Sequence, residues 1–150
     1  MSREMKCARI TIDELSILKS IDNPHDLEHF LDHTLQANKQ GRWTNFHKFY
    51  GLIDSMTMRF SKNSFSLSSG GYPVNDNTII FGPVKCFYTD EIAPLHNNIM
   101  SHGHLASELR ELCESPCPGE PEMSLRALEL FIEFIEKLIE EQTVLIAWYD

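Results

Sequence analysis

The chain has 150 residues, 42% of them hydrophobic and 23% charged, a balance that excludes an intrinsically disordered chain and fits one domain spanning residues 1–150. The formal net charge is −9, and it is uneven: residues 1–106 carry 11 acidic and 10 basic side chains, whereas residues 107–150 carry 11 and 3. Such a field repels nucleic acid and anionic membrane surfaces and attracts basic partners.

Residues 6–12 alternate in part, through Cys7, Ala8, Ile10 and Ile12, and read as a strand. Thr11-Ile12-Asp13-Glu14 has the form of a capping box, and Leu15, Leu18 and Ile21 follow at helical spacing, which predicts a helix over 12–21. Asn23-Pro24 starts a second helix, over 24–36, with Leu27, Phe30, Leu31, Thr34 and Leu35 on one face. Trp43, Phe46, Phe49 and Tyr50 predict a third, aromatic-rich helix that ends near Gly51 or Ile53.

Residues 61–77, rich in Ser, Asn and Gly, read as a long loop with a short strand at 64–67. Thr78-Ile79-Ile80-Phe81 is a short β-type run stopped by Gly82-Pro83. Thr89 is expected to cap a helix that opens with Asp90-Glu91, and Pro94 must then fall in its first turn. A short helix is expected over 104–114, followed by a Pro-rich connector at 115–121. The strongest periodicity runs from 122 to 141. There Leu128, Phe131, Ile135, Leu138 and Ile139 form one face, widened by Leu130, Ile132 and Phe134. Residues 143–149 read as a buried strand. The expected fold class is α+β: a small sheet that includes the N- and C-terminal strands, packed against several helices.

Three segments carry a family resemblance. They are Ala8-Arg9-Ile10-Thr11-Ile12-Asp13-Glu14-Leu15, the Trp-x-x-x-His stretch at Trp43 to His47, and Gly82-Pro83-Val84-Lys85-Cys86-Phe87 before the helix at Thr89. In these the chain resembles the YfbM-like family of uncharacterised bacterial proteins. It departs from that pattern at Cys86 and Phe87, where the family usually has a Leu after the basic residue. The resemblance implies an α+β fold and no particular chemistry. In size and acidity the chain also looks similar to immunity proteins of bacterial toxin systems, which is analogy only.

Several groupings invite a chemical reading. His25, His29 and His33 recur four apart on one polar helical face, a spacing that can chelate a metal but more often marks a solvated surface. His102 and His104 precede Cys113 and Cys117, in an order that matches no common zinc motif. Cys86 with His47 or His96 would make a nucleophile and base only if the fold brought them together. No phosphate loop, dinucleotide fingerprint or nucleophile elbow occurs, so no catalytic residue, cofactor or metal is assigned. The N-terminal residues carry no signal-peptide pattern and no apolar run is long enough for a membrane helix, so a cytoplasmic location with all four cysteines reduced is expected.

Glu129, Glu133, Glu136 and Glu140 fall on one stripe of the last helix, opposed only by Arg126 and Lys137. The expectation is a non-enzymatic acidic binding protein, of the immunity or antitoxin type, that occludes a basic protein partner such as a toxin nuclease domain. The four glutamates would steer the partner, with Trp43 and Tyr50, and also Tyr72, as exposed aromatic anchors. The alternative is a small enzyme or ligand-binding protein with a pocket near Trp43, His47 and Gly82-Pro83.

Overall fold

The computed structural model describes residues 3–35, 41–61, 67, 70–79, 82–101, 110, 111, 113 and 121–150. Strand β1 (Met5–Ile10) pairs antiparallel with the C-terminal strand β5 (Val144–Tyr149) in unbroken register, from Met5 opposite Tyr149 to Ile10 opposite Val144. These two strands occupy the middle of a sheet ordered β2–β1–β5–β4–β3, where β2 is Trp43–His47, β3 is Tyr72–Ile79 and β4 is Gly82–Phe87. All four neighbouring pairs are antiparallel.

Both faces of the sheet are covered, which is why β5 reads as a continuous apolar run rather than an alternating one. Met5, Cys7, Phe87, Leu145, Ala147 and Tyr149 point to one face and pack against α3 (Tyr50–Phe60), α4 (Thr89–Ser101) and α5 (Pro121–Glu141). Ala8, Ile10, Val84, Cys86, Val144, Ile146 and Trp148 point to the other and pack against α1 (Ile12–Ser20) and α2 (Pro24–His29). The result is the α+β architecture expected, with the terminal strands at its centre. Among the described residues no helix is long and apolar enough to cross a membrane.

The capping box forms as read. Glu14 N–H donates to Thr11 Oγ1 at 3.1 Å, and Thr11 N–H donates to the Glu14 carboxylate at 2.9 Å. Arg42 also donates to that carboxylate, so the start of α1 is tied to the chain entering β2. Asn23 caps α2 as expected, accepting from Asp26 N–H at 2.8 Å. From Phe30 to Leu35 the helix widens into a π-type turn.

Four expectations need correction. Trp43 to His47 is an edge strand, not the start of a helix; the helix begins at Tyr50 and runs to Phe60, beyond Ile53. Residues 72–77 belong to β3, not to a loop. Gly82-Pro83 opens β4 instead of ending a strand, with Gly82 opposite Ile79 and Pro83 opposite Thr78. Thr89 does not cap α4: its hydroxyl donates to the Thr143 carbonyl at 2.8 Å, Tyr88 supplies the cap, and Pro94 lies inside the helix beyond its first turn. The strand expected at 64–67 lies outside the described residues apart from Leu67. So does the helix expected at 104–114 apart from residues 110, 111 and 113, which are helical.

Candidate interaction surface

Helix α5 builds the surface. Its Leu128, Phe131, Ile135 and Leu138 are fully buried, with Phe46 set edge-on to Phe131 at 5.7 Å and to Phe134 at 6.0 Å. That seat fixes the rotation of the helix and sends Glu129, Glu133, Glu136 and Glu140 outward, where all four are exposed. Arg126 Nη1 lies 3.5 Å from carboxylate oxygens of both Glu129 and Glu133. Among the described residues Glu136 and Glu140 have no ion-pair partner. Of the apolar positions expected to widen the buried face, Ile132 and Phe134 are buried, whereas Leu130 is 37% exposed.

Beside the stripe is an open cleft of about 200 Å³, lined by Asn45, Phe46, His47 and Phe49 from the β2–α3 corner and by Met123, Arg126, Ala127 and Leu130 from α5. Its walls are largely apolar. Its rim is polar: Asn45 donates to Glu4 Oε2 at 2.9 Å, and His47 Nδ1 lies 3.4 Å from Glu4 Oε1. Those two hydrogen bonds, Asn45 first, hold the Glu4 carboxyl below the usual glutamate range. His47 takes a left-handed backbone (φ 52°), with its N–H donating to Asn45 Oδ1 at 2.7 Å. This conformation is uncommon outside glycine and turns the chain from β2 toward α3.

The aromatic residues expected beside the stripe do not gather there. Trp43 packs on the α1/α2 face of the sheet, opposite α5, and its buried indole Nε1 has no hydrogen-bond partner among the described residues. Tyr50 stands edge-on to Tyr149 at 5.6 Å, and the Arg3 guanidinium lies over both rings. Tyr72 is exposed but sits on the far edge strand, against Tyr88 at 6.2 Å. The pocket expected from Trp43, His47 and Gly82-Pro83 is also split. Only His47 lines the cleft, because β4 is separated from β2 by β1 and β5. Met123 and Leu130 line it because, with Arg126 and Ala127, they fall on one side of α5 at helical spacing, whereas Phe49 reaches it from the β2–α3 corner, a tertiary placement that no local spacing signals.

Cys86 meets neither of its candidate bases. It faces the α1/α2 layer, whereas His47 is three strands away and His96 lies on α4 across the sheet. Burial raises the Cys86 thiol, and burial raises Cys7 further still, so both favour the protonated form. His25, His29 and His33 are exposed as expected, with the His29 and His33 rings 4.5 Å apart. Among the described residues no group of three or more His, Cys, Asp and Glu side chains is placed to hold a metal. His102, His104 and Cys117 lie outside the described residues.

No family model matches the chain, and neither do curated proteins or solved structures.

Proposed function

We propose that this is a non-enzymatic binding protein that captures a basic protein partner on the outer face of α5, in the manner of an immunity or antitoxin-type protein occluding a toxin such as a nuclease domain. The observation that carries the reading is the exposed glutamate stripe standing directly beside an open apolar cleft. Clustered carboxylates accelerate encounter with a cationic partner, and an adjoining apolar surface supplies the short-range burial that slows release. Cytoplasmic residence and a distant YfbM-like ancestry belong to the same proposal and add no chemistry to it.

The test is association with a basic partner recovered from the native host, comparing the wild-type chain with a variant carrying Glu129→Lys, Glu133→Lys, Glu136→Lys and Glu140→Lys. The expected result is an on-rate at least about tenfold slower for the variant at low salt, with the difference shrinking as salt rises. An unchanged on-rate at low salt overturns the assignment.

A second reading, a small apolar ligand held in the cleft, is favoured by its mostly apolar lining beside His47 and Arg126. Native mass spectrometry of the purified chain tests it, and retention of a small molecule lost in Leu130→Lys supports it.

A further inference from the structure

We infer that the cleft between β2 and α5 receives a bulky apolar side chain of the basic partner, so that the recognised segment is amphipathic: one apolar anchor with Lys or Arg beside it. This rests on the proposed function and names the chemistry of the partner. Met123 and Leu130 are 57% and 37% exposed, and both lie on one wall of the cleft. Covering large apolar side chains removes them from water, which is favourable, so an open wall of this kind is a strong place for an anchor to bind. A cleft of about 200 Å³ has room for one side chain the size of Leu or Phe.

Charge decides what accompanies the anchor. Successive residues turn by about 100° around a helix, which places the cleft-lining set (Met123, Arg126, Ala127, Leu130) roughly 100° from the stripe of Glu129, Glu133, Glu136 and Glu140. The two faces are adjacent, so a segment crossing α5 touches both. The basic side chains at the cleft are already engaged: Arg126 sits between Glu129 and Glu133, and His47 lies beside Glu4. An anionic ligand therefore finds no spare positive charge among these residues. Glu136 and Glu140 stand about 9 and 15 Å along the axis from Leu130, given a rise of about 1.5 Å per residue. A Lys or Arg near the anchor reaches them, or reaches Glu133 in place of Arg126.

The experiment uses the full chain with labelled Met, Ala and Leu methyl groups, titrated with two probes: oligolysine, and an amphipathic Leu/Lys peptide of equal charge. Both probes are expected to shift the amides of Glu133 and Glu136. Only the Leu/Lys peptide is expected to shift the methyls of Met123, Ala127 and Leu130, and to bind about tenfold tighter, which is about 1.4 kcal/mol. Leu130→Ser, at an exposed position, is expected to bring the Leu/Lys peptide down to the affinity of oligolysine and to leave oligolysine unchanged. Equal affinities with unmoved cleft methyls, or an unchanged Leu/Lys affinity in Leu130→Ser, overturn the inference and leave the proposed function standing. Failure of both probes to shift the stripe overturns the proposed function and the inference together.

Discussion

The guanidinium of Arg9 packs 4.8 Å from the centre of the Phe134 ring, beneath α5. Arg9 is 2% exposed. Its Nη2 donates to the Gly41 carbonyl at 3.0 Å, and its Nε lies 3.5 Å from the Glu141 carboxylate, which is itself half-exposed. Removing a buried cation from its surroundings leaves both a void and unmatched neighbours. Arg9→Ala is therefore expected to cost about 3 kcal/mol in urea unfolding. Arg9→Met keeps the stem and loses the hydrogen bond, for about 1 kcal/mol. Glu141→Gln removes a partner that water already screens and is expected to cost under about 1 kcal/mol. A Glu141→Gln loss as large as that of Arg9→Ala would show the ion pair, not the packing, to be the main term.

Two glycines give opposite signs. Gly71 has φ +77°, and a Cβ there would meet Phe87 Cζ at 2.7 Å, with Phe87 fully buried. Gly71→Ala is expected to lose about 2–3 kcal/mol through strain and overpacking. Gly51 lies exposed in the first turn of α3 with nothing within 4 Å of a Cβ. Gly51→Ala is expected to gain about 0.5–1 kcal/mol by restricting the unfolded chain. Thermal unfolding of the two variants beside wild type checks both.

Helix α5 ends in a Schellman turn closed by a residue other than glycine. Thr143 N–H donates to Leu138 O at 3.1 Å, Gln142 N–H donates to Ile139 O at 3.2 Å, and Gln142 holds φ 54°. The left-handed conformation is costly for a residue with a Cβ and open to glycine. Gln142→Gly is expected to raise stability by about 0.5 kcal/mol after the entropy of the extra glycine is deducted. A loss of stability would mean that the Gln142 side chain makes a contact worth more than the strain.

Local rules explain which parts of this fold were legible. The capping box at Thr11, the cap at Asn23 and the periodicity of α5 each depend on neighbours within one or two turns, so the sequence and the fold agree there. Residues 43–50 misled because Trp43, Phe46, Phe49 and Tyr50 sit at helical spacing. In the fold Trp43 and Phe46 instead serve opposite faces of β2, as residues an odd number apart on a strand do. Strand β3 was hidden by its asparagines. Asn75 donates to the Leu18 and Ile21 carbonyls at 3.1 and 3.2 Å, and Asn77 to Ile21 at 3.0 Å, so they satisfy the open end of α1. That duty is tertiary and leaves only a loop-like composition behind. The stripe was legible from spacing alone, whereas the cleft was not, since it joins a strand corner to a helix far along the chain.

The rim of the cleft should register acid. Glu4 is partly exposed, and its carboxyl is held low first by the hydrogen bond from Asn45 and then by His47. A folded pKa below the unfolded one means that the contribution to stability is present above the unfolded value and is lost as pH falls through the folded one. Asn45→Ala is expected to raise the Glu4 pKa toward the ordinary glutamate value, as read from the side-chain carboxyl shift in an NMR titration. A Glu4 titration unmoved in Asn45→Ala would place the cause at His47 instead.

The stripe should lower the stability of the chain slightly while serving recognition. Glu136 and Glu140 are four apart on an exposed helical face, and like charges at that spacing repel by about 0.2–0.5 kcal/mol. Glu136→Gln and Glu140→Gln are each expected to stabilise by about that amount. Glu133→Gln gives up the contact with Arg126 and is expected to be near neutral, within about 0.5 kcal/mol. The informative comparison is stability against association in the same double variant, Glu136→Gln with Glu140→Gln. If the carboxylates are kept for a basic partner, this variant melts higher yet associates more slowly with oligolysine at low salt. If it melts higher and associates at the wild-type rate, the carboxylates serve solubility, and recognition must be sought elsewhere on α5.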